Sequence, residues 1–153
     1  MLDLSGTTSC GSFNFRKAAR AITRLYDSAF EDFGIRSTQF TILVGIAKTQ
    51  PTSISALGGL LVIDPTTLTR TLRRLQKEKL VSISARSKMR QRLVRLTRKG
   101  ERTLARSLPS WRKAHKHFVT AIGSDYWVDF RGELERLAHV ALAIEKSKDS
   151  AHC

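Results

Sequence analysis

With 153 residues, the chain has the length of a single domain that can bury a substantial core. Hydrophobic residues make up 41 % and charged residues 26 %, but 27 Lys+Arg oppose only 13 Asp+Glu, for a formal net charge of +14. That field implies an anionic partner. No stretch approaches the roughly 20 apolar residues of a membrane-spanning helix, and no GxSxG, HExxH, GxGxxG or P-loop pattern suggests an enzyme.

The Ser/Thr/Gly-rich residues 1–12 show no basic start followed by an apolar stretch, so they predict a mobile N-terminus without a secretory signal. From about Asn14 to Phe33, apolar residues recur every three or four positions, which predicts an amphipathic helix stopped by Gly34. A second helix is expected after a Ser37/Thr38 cap, carrying Phe40, Leu43, Val44 and Ala47 and ending before Pro51. A short third helix follows a Thr52/Ser53 cap. Gly58 and Gly59 weaken it in isolation, so tertiary packing must hold it.

Asp64-Pro65 is a strong helix start, with Asp at the cap and Pro at the first helical position. The fourth helix should run to about Lys79. Val81, Ile83 and Ala85, then Val94 and Leu96, alternate with polar residues and read as two paired strands joined by a basic loop, Ser87 to Arg92. Thr97 should cap a fifth helix reaching about Ile122, bent at Pro109. Trp127, Phe130, Leu134, Leu137, Ala141 and Ile144 then form a heptad-like seam on a sixth, with Ser147 to Cys153 frayed.

The charge excess is concentrated. Thirteen basic residues between Asp64 and Arg102 meet only three acids, whereas the other 114 residues hold fourteen basic and ten acidic groups. At 100° per residue, Leu68, Leu72 and Leu75 of the fourth helix share the core face. Thr66, Arg70, Arg73 and Lys77 lie opposite, flanked by Thr67, Thr69 and Arg74. Arg and Thr suit base edges in the DNA major groove, and Lys77 and Lys99 suit phosphates. The hairpin next to it, with Arg86, Lys88, Arg90 and Arg92, suits a DNA groove or its phosphates, and Arg90 is the candidate for the minor groove. The predicted fold is mostly α with a small β-hairpin wing: a winged helix-turn-helix over residues 36–100. Long dimerisation helices at 13–34 and 101–146 complete a single domain, 1–153.

Thr38-Gln39-Phe40, Thr67-x-Thr69-Arg70 and Leu93-Val94-Arg95-Leu96-Thr97-x-x-Gly100 give the chain a family likeness. It resembles the MarR-type (multiple-antibiotic-resistance regulator) winged-helix family over roughly residues 13–145. Arg90 matches the family's wing Arg, but Lys88 stands where the family usually has an Asp that steadies it. The resemblance implies a cytoplasmic transcriptional regulator, usually a repressor released by a ligand or an oxidant. The expected partner is double-stranded DNA, bound sequence-specifically as a homodimer on an inverted repeat. A non-specific architectural nucleic-acid-binding protein is the alternative.

Homodimerisation is also expected because the first, fifth and sixth helices carry more apolar surface than one compact lobe can cover. The resemblance further motivates a pocket for a small aromatic or phenolic effector, lined by Tyr26, Phe40, Trp111 and His115; plain core packing of these residues is the competing reading. Cys10 and Cys153 form no metal spacing and read as free thiols in a reducing cytosol. One branch of the family senses hydroperoxides through an N-terminal cysteine, which makes Cys10 a redox candidate, although it lies a few residues out of that register. His115 and His117 point to different helix faces, so neither a metal nor a cofactor is expected.

Overall fold

The computed structural model of the chain describes residues 2, 4–84 and 91–150. These form two compact units, one up to Arg112 and one from Lys113 onward, with the boundary inside a helix. The described elements are α1 (Gly11–Ser28), α2 (Ser37–Thr49), β1 (Thr52–Ser53), α3 (Ile54–Leu61), α4 (Pro65–Lys77), β2 (Val81–Ile83), β3 (Leu93–Leu96), α5 (Arg98–Ile122) and α6 (Ser124–Ser150). This is a mostly helical winged helix-turn-helix. None of these helices is long and apolar enough to cross a membrane.

The core of the first unit gathers Phe30, Leu43, Ile46, Leu57, Leu68, Leu72, Leu75, Val94 and Leu104. Its centre is the leucine row of α4, and all three leucines are 0 % exposed. Local chemistry starts that helix as expected: Asp64 accepts the Thr67 N–H at 2.8 Å and Pro65 fills the first turn. Just before it, the chain turns through Val62 at φ 51, a left-handed conformation that a β-branched residue adopts at a cost of about 1–2 kcal/mol.

Four local expectations differ from the structure. A 3-10 turn, Thr7–Ser9, and an earlier start of α1 at Gly11 order much of the segment expected to be mobile. The first helix ends at Ser28 rather than Phe33. Its apolar periodicity continues, but the chain breaks so that Phe30 can enter the core, and a second 3-10 turn, Glu31–Phe33, ends at Gly34 with φ 64. The cap of α2 is Arg36, one residue before Ser37; the Gln39 side chain accepts its N–H at 2.8 Å. At the other end, Ser147–Ser150 continue α6 instead of fraying.

The hairpin of β2 and β3 has a third strand. β1 pairs antiparallel with β3, Thr52 opposite Val94 and Ser53 opposite Leu93, so the order is β1-β3-β2. Ser53 also caps α3, as the sequence indicated, accepting the Ala56 N–H at 3.1 Å. The Gln50 side chain extends the sheet by accepting the Leu96 N–H at 2.8 Å.

The sheet hands over to α5 through Thr97 and Gly100. Thr97 Oγ1 donates to the Lys79 carbonyl at 2.6 Å and accepts the Gly100 N–H at 3.0 Å, which caps α5. Gly100 sits so close to the end of α4 that a β-carbon there would lie 2.0 Å from the Leu80 carbonyl oxygen. Backbone cannot yield that distance cheaply. Gly100→Ala should therefore destabilise the chain by roughly 1–3 kcal/mol or more, read by urea denaturation at fixed protein concentration. Gly59→Ala, where a β-carbon meets nothing within 4 Å, should instead stabilise it by about 0.4–1 kcal/mol. Equal effects of the two would contradict the close approach.

Candidate nucleic-acid interface and effector cleft

Burial of the three leucines turns the opposite side of α4 outward. Thr66, Thr67, Arg70, Arg73, Arg74 and Lys77 are exposed, and Thr69 is half-buried. These groups are not equivalent. Hydrogen bonds from the Thr67 side chain and backbone hold the Asp64 carboxyl below the usual carboxylate range, so Thr67 is engaged in capping the helix. Arg74 reaches Glu78 one turn on, Nε to Oε1 at 3.0 Å. Arg70, Arg73 and Lys77 make no ion pair among the described residues. They leave three cations beside the Thr66 hydroxyl on one face.

Of the wing residues, Arg86, Lys88 and Arg90 lie outside the described residues. Arg92 is exposed just before β3, and its carbonyl accepts the Ile54 N–H at 3.3 Å. Arg95 is exposed on β3 itself. Lys99, expected at a phosphate, instead donates from Nζ to the Glu78 carbonyl at 2.9 Å, where it closes the C-terminal end of α4. A cation at that end also meets the negative pole of the helix.

Three of the four candidate pocket residues line one cleft of about 270 Å³ in the first unit: Tyr26, Phe40 and Trp111, with Ile22, Thr23, Phe30, Ser37, Thr38 and Thr41. Its wall is a ring stack. Phe30 and Phe40 lie 4.6 Å apart at 24°, and Phe40 and Trp111 6.1 Å apart at 22°. Burial pushes the Tyr26 hydroxyl above its ordinary pKa, so it remains a neutral phenol. His115 belongs to the second unit, where it meets the edge of Trp127 at 6.0 Å. Cys10 is exposed immediately before α1.

Sequence reasoning missed the residue that holds Ser37, one of the residues lining this cleft. Asp27, near the end of α1, accepts both the N–H and the hydroxyl of Ser37 at 2.7 Å and the Arg36 guanidinium at 3.2 Å. A carboxylate ten residues upstream thus stabilises the start of α2. Partial burial pushes its pKa up, but the Ser37 bonds and the Arg36 charge outweigh that and leave it lowered. A lowered carboxyl stabilises the fold above the ordinary value of 3.8 and loses that contribution as pH falls through its folded value. Asp27→Asn should cost roughly 1–2 kcal/mol near neutral pH, a hydrogen-bond value reduced for solvent access. The gap to the wild type should close as pH drops below 3.8; a gap that stays constant on acid titration would contradict the assigned charge.

The MarR family model matches residues 35–88, from just before α2 into the wing. Among solved structures, the transcriptional regulator MosR of M. tuberculosis, determined in complex with DNA, is 30 % identical over 88 % of this chain and 97 % of its own, with a TM-score of 0.80. The S. aureus MepR–DNA complex is 18 % identical, covers 84 % and 96 % of the two chains, and has a TM-score of 0.73. CouR from Rhodococcus jostii, bound to p-coumaroyl-CoA, is 16 % identical over 88 % and 95 %, also at 0.73. No curated protein sequence matches. The outward cationic face of α4, the sheet beside it and the likeness to MosR over nearly its whole length lead to one conclusion: the chain belongs to the MarR family of winged-helix, DNA-binding transcriptional regulators.

Proposed function

We propose that the chain is a sequence-specific regulator that binds an inverted-repeat operator as a homodimer and responds to a small aromatic effector. The observation that carries the reading is the exposed face of α4, where Thr66, Arg70, Arg73 and Lys77 stand opposite a leucine row that is 0 % exposed. A helix anchored on one side and cationic on the other can enter the major groove without unfolding anything. Arg70 and Arg73 read base edges, Thr66 and Thr69 support them, and Lys77 meets a phosphate. Arg92 and Arg95, with the wing residues Arg86, Lys88 and Arg90, contribute the flanking contacts. Arg74 plays a smaller part because Glu78 already engages it.

Two apolar surfaces support the dimer. No residue of α1 is buried, and Phe13, Phe15, Ile22 and Leu25 are all exposed on it. On α6, Leu137, Val140 and Ile144 are exposed as well. Apolar stripes of this kind are covered by a second copy in a two-fold assembly, which also brings two recognition helices to one side of the duplex. Sedimentation should return twice the chain mass at micromolar concentration; a stable folded monomer there would overturn the dimer.

The effector reading rests on the cleft of Tyr26, Phe40 and Trp111. The DNA reading is tested by selecting bound fragments from random duplexes and measuring affinities for the winner. Arg70→Ala should cost about 1–3 kcal/mol on that site and relax its base preference, whereas Arg74→Ala should cost less. Equal affinity of the wild type for every duplex would replace this reading with the non-specific architectural one.

A further inference from the structure

We propose that partner choice in the dimer is set by two opposite rows of charge, Arg16, Arg20 and Arg24 on α1 of one copy against Asp125, Asp129 and Glu133 on α6 of a second. The proposal rests on the dimer reading and names the groups that make this chain its own partner. Charge is spread unevenly along the sequence. Residues 11–28 carry four basic groups and one acid, whereas residues 124–135 carry four acids and one basic group. Each row repeats every four residues, so its charges lie about 6 Å apart along the helix and within about 80° around it. Two such rows match charge for charge along neighbouring helices, and like rows repel.

All six residues are exposed. Glu133 is engaged by Arg136 within its own helix, Oε2 to Nη2 at 2.6 Å; the other five make no ion pair among the described residues. With Ala19 and Thr23, the three arginines line a groove of about 520 Å³ whose lining holds no carboxylate. Phe13 lies within the arginine row, and Tyr126, Val140 and Ile144 lie along the carboxylate face; all four are exposed. Covering such apolar neighbours removes water from the pairs and strengthens them. Arg98, Arg102 and Arg106 of α5 repeat the spacing, but among the described residues no exposed large apolar side chain lies on that helix. A second copy is the occupant that fits, because every copy offers both rows and a two-fold assembly makes the same pairing twice.

The test reverses one row at a time in the full chain: Arg16→Glu, Arg20→Glu and Arg24→Glu together in one variant, Asp125→Lys and Asp129→Lys in the other. Sedimentation equilibrium should show each variant associating with itself roughly tenfold more weakly than the wild type. The arginine changes lower the chain's excess positive charge, so general repulsion between copies would tighten that dimer instead. Mixed in equal amounts, the two variants should regain the wild-type affinity, and native mass spectrometry should find the mixed dimer well above its random share. Random pairing, which is also the result of rows that meet within one chain, would overturn the proposal and leave the dimer in place. Variants that dimerise as tightly as the wild type would do the same. A monomeric wild type would overturn the dimer reading and the proposal with it. Where either variant loses its helical circular dichroism, Arg20→Glu and Asp129→Lys alone are mixed and read in the same way.

Discussion

The structure depends on the burial of Leu68, Leu72 and Leu75. They hold α4 in one rotation about its axis, and any other rotation would expose apolar surface at about 25 cal/mol per Å². Because the helix repeats every 3.6 residues, fixing this side fixes the other. Arg70, Arg73 and Lys77 are outward-facing for the same reason that the leucines are inward-facing. The proposed recognition surface and the stabilising surface are therefore two sides of one helix, and the outward-facing residues can change without disturbing the core.

The corner between α1 and α2 follows a different logic. The core claims Phe30, which ends α1 early, and the break leaves the start of α2 without neighbours in its own helix. Asp27 and the Gln39 side chain meet that need from two directions. The same corner leaves an aromatic wall facing a row of hydroxyls, so the cleft is a consequence of how the chain turns.

Features governed by near neighbours were legible in the sequence. The Asp64-Pro65 start of α4, its leucine row and the Thr97 cap follow from residues within a few positions of one another, and the alternation within each of β2 and β3 marks them as strands. Features set by distant partners were not. Phe30 continues the helical periodicity of α1, and only its burial in the core shows why the helix stops first. A two-residue strand carries no periodicity, so Thr52 and Ser53 read as a cap alone. The resemblance motif ends in Gly100, but its reason is a carbonyl twenty residues upstream. Lys99 carries the charge of a phosphate contact, and nothing nearby in the sequence reveals that Glu78 holds it. Arg74 is the exception, since its i+4 spacing to Glu78 was readable.

Ser53 belongs to two elements at once: its backbone lies opposite Leu93 in the sheet, and its side chain starts α3. The neighbouring Ile54 N–H is tied to the Arg92 carbonyl. A shift of the β3 strand is thus transmitted directly into α3, and through the turn at Val62 into α4. The described strands of the hairpin and α4 are therefore joined through one short helix, whose start at Ser53 and exit at Val62 set how the exposed face of α4 is aimed.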